Sequence, residues 1–270
     1  MSHIQKILER AEREGAIRPS NVSIAPEADR RAAAPPPAEA VFPIVPVDVA
    51  PVSETLSARV VSARIHPGIL EALRPGSISF EQYRSLRTRL LQVAHGRSTT
   101  ALVVTSSTRG EGRTHMAASL ALSMTQESDR RVCVVDANLR DGQVRSVFGL
   151  PDGPGLGDVL AERAPLEQAL IQLEGHNVTL LPAGDPSTDH ELLGSTAMRR
   201  VMQALRTQFD RIVIDAPPAI PVADVALLTP LVDALMLVIR ASVTPKPTIH
   251  EAIRNINSDK LLGVVLNDAR

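Results

Sequence analysis

Residues 106–115, SSTRGEGRTH, follow the apolar stretch 101–105 and precede a helical pattern, an arrangement that reads as a phosphate-binding loop. Set against the pattern G-x-x-x-x-G-K-[ST], the anchor positions fall on Ser107, Gly112, Arg113 and Thr114. An arginine therefore stands where a lysine reaches the β- and γ-phosphates. Gly110 and Gly112 give the turn the freedom to aim backbone N–H groups at a phosphate, and the following helix N-terminus adds the positive end of its dipole. The candidate nucleotide-contacting run is Ser107, Thr108, Arg109, Gly110, Glu111, Gly112, Arg113, Thr114 and His115. Thr114 is placed to offer a hydroxyl to Mg2+. Arg113 keeps the positive charge, but its planar fork is wider than an ammonium and does not simply replace it inside a tight loop. Phosphate binding is expected to outlast phosphoryl transfer.

Two acids follow in register. VCVVDANLRDG, residues 132–142, is an apolar strand ending in Asp136, and RIVIDAPP, residues 211–218, is another ending in Asp215. In open α/β sheets ligands approach from the carboxyl ends of the strands. Carboxylates at neighbouring strand tips beside a phosphate loop are the hard oxygen donors a hydrated Mg2+ requires, and Asn138 adds an uncharged amide donor. The candidate metal set is Thr114, Asp136, Asn138 and Asp215, with MgATP as the implied cofactor.

These residues need a scaffold that delivers strand ends to one edge. Apolar runs at 101–105, 132–135, 178–182, 211–214, 234–239 and 262–266 alternate mostly with helical patterns such as 112–127, 195–208 and 246–257. That order predicts an α/β fold, a mainly parallel sheet with helices on both faces and right-handed crossovers. Forty-four per cent hydrophobic residues with no Trp, one Tyr and four Phe predict an aliphatic core. Residues 80–94 form a further helical pattern, with Phe80, Tyr83, Leu86, Leu90 and Leu91 on one face. Residues 1–18 read as a short amphipathic helix, 19–76 as a Pro/Ala-rich linker, and 77–270 as the nucleotide-binding domain. A net charge of −1 argues against nucleic-acid binding through a basic surface. The lone Cys133 lies in an apolar run and reads as a buried thiol, no apolar stretch approaches the length of a membrane span, and the N-terminus lacks a secretory signal. A cytoplasmic protein is expected.

In their order, SSTRGEGRT, VVDANLR and IVIDAPP resemble the bacterial tyrosine-kinase family of polysaccharide synthesis and export, P-loop proteins related to the MinD and ParA ATPases. The resemblance runs from about Ile78 to the C-terminus and includes GLGDVLAERAPLEQAL, LLPAGDP and GVVLND. It implies a MinD/ParA-like P-loop NTPase fold. Asp136 becomes the acid of the additional Walker motif, assisting Mg2+ and activating a tyrosine hydroxyl, and Asp215 the Walker B acid. Arg113 joins Asp136 as a catalytic candidate, and Asn267 is a candidate contact to adenine. Glu81, Arg84 and Arg87 resemble the family's E-x-x-R-x-x-R self-assembly motif; residues three apart share a helix face. The family also implies a separate membrane polysaccharide co-polymerase that recruits the chain to the inner face of the membrane.

The departures bear on activity. Arg113 replaces the lysine, Asn138 replaces a second acid, and Arg109 and His115 stand where the family has proline and a small hydroxyl residue. Tyr83 is the single tyrosine, placed on the apolar side of a helix, and residues 266–270 carry no tyrosine cluster, so self-phosphorylation on a tail is not expected. The expected function is ATP binding in polysaccharide synthesis or export with weak or absent kinase activity. The alternatives are an active kinase acting on a partner protein and a MinD/ParA-like positioning ATPase, whose loop carries an early lysine at the place of Thr108.

Overall fold

Runs such as ALVVTS, VCVVD and ALMLVIR hold apolar residues at successive positions, so both faces of each strand must be covered. The computed structural model describes residues 57–93, 101–126, 130–221, 224–256 and 258–268, and shows how this is done. In chain order the strands are β1 (Arg59–Val61), β2 (Ala101–Ser106), β3 (Val132–Asp136), β4 (Ile171–Leu173), β5 (Val178–Leu181), β6 (Arg211–Asp215), β7 (Ala234–Arg240) and β8 (Leu261–Asn267). The helices are α1 (Pro67–Leu70), α2 (Ile78–Val93), α3 (Arg113–Met124), α4 (Val144–Val147), α5 (Leu156–Leu160), α6 (Leu166–Ala169), α7 (Thr196–Gln208), α8 (Asp224–Leu228) and α9 (Lys246–Asn255). The strands form one sheet ordered β1-β4-β5-β3-β6-β2-β7-β8, parallel except for the β4–β5 pair.

Successive side chains on a strand point to opposite faces, which divides the core in two. Val103, Ile212, Ile214 and Leu237 pack beneath Met198, Val201, Met202 and Leu205 of α7 and Ile249 and Ala252 of α9. Leu102, Val104, Val213 and Met236 pack against Met116, Leu120 and Ala121 of α3, with Tyr83, Leu86 and Leu90 of α2 at the margin. The expected α/β architecture is therefore the observed one. Its physical consequence is that β2, β3 and β6 lie side by side, all parallel, and release their chains at a common edge.

Residues 57–76 correct the expected linker boundary. Instead of an extended tether they supply β1, which pairs in parallel with β4, Arg59 opposite Ile171. They also supply α1, on which Ile69 is fully buried. Pro67 sits in the first turn of α1, where its missing N–H costs nothing, and His66 caps that turn by accepting the Gly68 N–H at 3.2 Å. The proline thus starts a helix here. The expected amphipathic helix at 1–18, the linker residues 19–56 and the side chain of Leu91 lie outside the described residues. Among the described residues no helix is long and apolar enough to cross a membrane.

Candidate phosphate-binding site

β2 ends at the fully buried Ser106, and the chain turns through residues 107–112 before α3 starts at Arg113. Gly110 and Gly112 take φ of +78° and +85°, the left-handed region that favours glycine. At Gly112 a Cβ would also stand 2.0 Å from Nδ2 of Asn267. Asn267, at the end of β8, donates that amide to the Glu111 carbonyl at 2.9 Å and so clamps the loop from above. Glu111 is itself buried. Its carboxylate accepts the Thr108 N–H at 2.9 Å and the Thr244 hydroxyl, tying the loop to the segment after β7. Glu111 and Asn267, expected among the nucleotide contacts, are thus engaged in holding the loop's shape. The first-turn N–H groups of α3 have no intrahelical partner, and the dipole favours an anion there. The hydroxyl of Ser107 is buried with no hydrogen-bond partner.

The acids meet beneath this loop. Asp136 and Asp215 are register partners on β3 and β6, both fully buried. Asp136 accepts the backbone N–H of Asn138 at 3.1 Å and of Val144 at 2.9 Å. Burial, and then the charge of Asp215, push its carboxyl up to about 8 despite those bonds. Gly142 permits the close passage, since a Cβ there would come within 2.8 Å of Asp136 Oδ2. Asp215 is raised by burial and opposed by Arg113 and Thr114. Both its oxygens are engaged: Arg113 Nε donates to Oδ1 at 3.2 Å, and the Thr114 hydroxyl donates to Oδ2 at 2.6 Å. A second arm of the Arg113 fork, Nη1, donates to the Ser106 hydroxyl at 3.1 Å. The arginine side chain is only 10% exposed, folded inward onto Asp215. Asn138 turns its Nδ2 to the Asp141 carbonyl at 2.6 Å.

Ser107, Gly112, Arg113, Thr114, Asp136 and Asp215 therefore converge on one edge, while two other candidates stand apart. Arg109 is exposed, 3.9 Å from Asp141, and His115 packs edge-on against the His66 ring with centroids 4.9 Å apart. Burial, and then His66, lower the pKa of His115. Two contributors carried no sequence signal: Thr244, far along the chain from the glutamate it binds, and Asp224, which holds Arg140 of the VVDANLR segment at 3.3 Å. On α2, Glu81 and Arg84 pair on the surface at 3.4 Å, whereas Arg87 turns inward and donates to the Ser123 carbonyl of α3.

Residues 100–267 match the family model described as cellulose biosynthesis protein BcsQ. The chain is also 31% identical over 209 residues to tyrosine-protein kinase YwqD of Bacillus subtilis (strain 168), an alignment covering 76% of this chain and 87% of that protein. The chain belongs to the BcsQ-type, bacterial tyrosine-kinase family of P-loop proteins. Among solved structures, the kinase domain of Escherichia coli tyrosine kinase ETK superposes with a TM-score of 0.69 at 26% identity, covering 74% of this chain and 79% of that one. The septum site-determining protein MinD of Pyrococcus horikoshii OT3, complexed with Mg-ADP, shares the fold with a TM-score of 0.52 at 23% identity, covering 62% and 70%. Several other tyrosine-kinase relatives are longer, and the chain spans 26% to 31% of their length.

For a tyrosine-kinase family member, the loop fits a nucleotide phosphate. It has left-handed glycines, a free helix N-terminus and a buried Ser107 hydroxyl awaiting a partner. The metal half fits less well. Thr114, Asp136 and Asp215 are hard oxygen donors, but Asp215 already pairs with the Arg113 guanidinium, whose positive charge opposes a cation at the same carboxylate. Among the described residues no group of three or more His, Cys, Asp or Glu converges as a metal site.

Proposed function

We propose that this chain is an ATP-binding protein of the bacterial tyrosine-kinase type, serving polysaccharide synthesis or export, in which phosphoryl transfer is weak or absent. The observation that carries this reading is the Arg113–Asp215 pair. The loop N–H groups and the start of α3 hold the phosphates, whereas the cation that should meet charge developing on the transferring group is bound to a buried carboxylate. Tyr83, the single tyrosine, hydrogen-bonds Ser119 and is pushed above the usual phenol range by burial, so it is packing rather than an acceptor site. The test is Arg113→Lys, assayed for ATP turnover and for transfer to a supplied tyrosine substrate. The lysine variant is expected to exceed wild type by about a hundredfold or more, the lower end for one transition-state contact. Equal rates would sink the claim of impairment.

A second reading is an active kinase that phosphorylates a partner protein. Asp136 favours it, because a carboxyl at the ligand edge raised to about 8 can exchange a proton near neutral pH. Phosphotyrosine accumulating on a supplied partner, and lost in Asp136→Ala, would decide for it. In either case the reading includes recruitment to the inner face of the membrane by a membrane polysaccharide co-polymerase, and self-association through α2.

A further inference from the structure

We infer that Arg113 takes the place of the divalent cation in this site, so that the chain binds a nucleoside diphosphate or triphosphate without needing Mg2+. This rests on the nucleotide-binding reading above and goes beyond it by assigning the cation's role to a side chain. In a metal-dependent loop two separate positive groups serve the phosphates: a lysine at the position of Arg113, and a Mg2+ held between the Thr114 hydroxyl and an acid. Here one guanidinium reaches both stations. It occupies the lysine position in the sequence, and its Nε lies 3.2 Å from Asp215 Oδ1. Thr114, whose hydroxyl oxygen would be a metal ligand, also donates its proton to Asp215 Oδ2 at 2.6 Å, a bond compatible with metal ligation, so the guanidinium is the group that competes with a cation here. A cation approaching that carboxylate meets the positive charge of a guanidinium already paired with it, where burial leaves the repulsion poorly screened.

The fork also has capacity to spare. A guanidinium carries five N–H donors, of which Nε uses one on Asp215 and Nη1 uses one on Ser106. The remaining donors suit a phosphate, which arginine meets through planar, paired hydrogen bonds. Arg113 can therefore bridge acid and phosphate at once, as a hydrated metal does. A lysine ammonium in its place is a compact point charge that cannot span the same partners, so it would leave Asp215 open to the metal.

The experiment is calorimetric titration of the full chain with ADP, which avoids turnover, in buffer containing Mg2+ and in buffer containing EDTA. For wild type the two dissociation constants should agree within about threefold, and for Arg113→Lys the Mg2+ buffer should bind at least about tenfold more tightly. Tighter ADP binding by wild type in Mg2+, by about tenfold or more, would overturn the inference while leaving nucleotide binding intact. Metal-independent binding by both proteins would overturn the part assigned to Arg113. No ADP binding by either protein in either buffer would defeat the nucleotide-binding reading and this inference together. The wild-type comparison stands by itself should the lysine variant fail to fold.

Discussion

At the scale of single residues, the site is governed by burial. Arg113 and Asp215 pair where water screens them little, so the guanidinium is anchored to the protein's own carboxylate. Asp136 shows the complementary effect: with its value raised from 3.8 to about 8, the folded chain holds a proton that the unfolded chain releases above pH 3.8. Stability contributed by this group is therefore complete at low pH and is lost as pH rises through that interval. Urea unfolding at a series of pH values should show this decline, and Asp136→Asn should flatten it. The variant should also be less stable throughout, because the Asn138 and Val144 N–H groups donate to different carboxylate oxygens and an amide replaces one oxygen with a donor. A slope unchanged in the variant would place the titrating group elsewhere. The acids themselves were legible as strand-final Asp residues after apolar runs; the direction of their shifts was not, since it depends first on how completely the fold buries them and then on the charges it sets beside them.

Among the elements, the segment 57–76 is the clearest case of a boundary that sequence pattern conceals. Three-residue strands such as β1 and β4 are too short to show alternation, and a helix of four residues has no repeating apolar face. Prolines and alanines upstream made the stretch resemble more linker. Fully buried Ile69 decides the matter, and it offers a measurement. Ile69→Ala should lower the unfolding free energy by about 2–5 kcal/mol, the range for emptying a packed aliphatic site. A linker residue would give no change in the denaturant midpoint. The long, uniformly apolar strands β2, β3, β6 and β7 were legible for the opposite reason, since a strand covered on both faces has nearly every position apolar.

Across the whole molecule, the sheet order converts separated motifs into one site and leaves α2 to face outward. Glu81 and Arg84 pair on an exposed face, and exposed pairs contribute little to folding. The double change Glu81→Ala with Arg84→Ala should therefore alter stability by less than about 0.5 kcal/mol. If α2 carries self-association, it should nevertheless shift sedimentation towards smaller species. A large loss of stability, or an unaltered sedimentation profile, would remove those two residues from any assembly role. Arg87 is the wrong residue for that test, because its guanidinium binds the Ser123 carbonyl and its loss would disturb the contact between α2 and α3.

Sequence alone was enough for the class of fold, the glycine turn after β2 and the two strand-final acids, because glycine placement, apolar runs and strand-final carboxylates are local properties that physical chemistry links to local structure. It also shows an arginine, Arg113, at the position that is lysine in the pattern G-x-x-x-x-G-K-[ST]. Only the tertiary structure decided where that arginine goes. Its partners, Ser106 and Asp215, lie on two strands brought together by parallel pairing, and the loop's clamps, Thr244 and Asn267, arrive from the far end of the chain. Whether a charged side chain reaches outward to a ligand or inward to a buried acid depends on what lies within about 3 Å of it, which only the folded chain supplies.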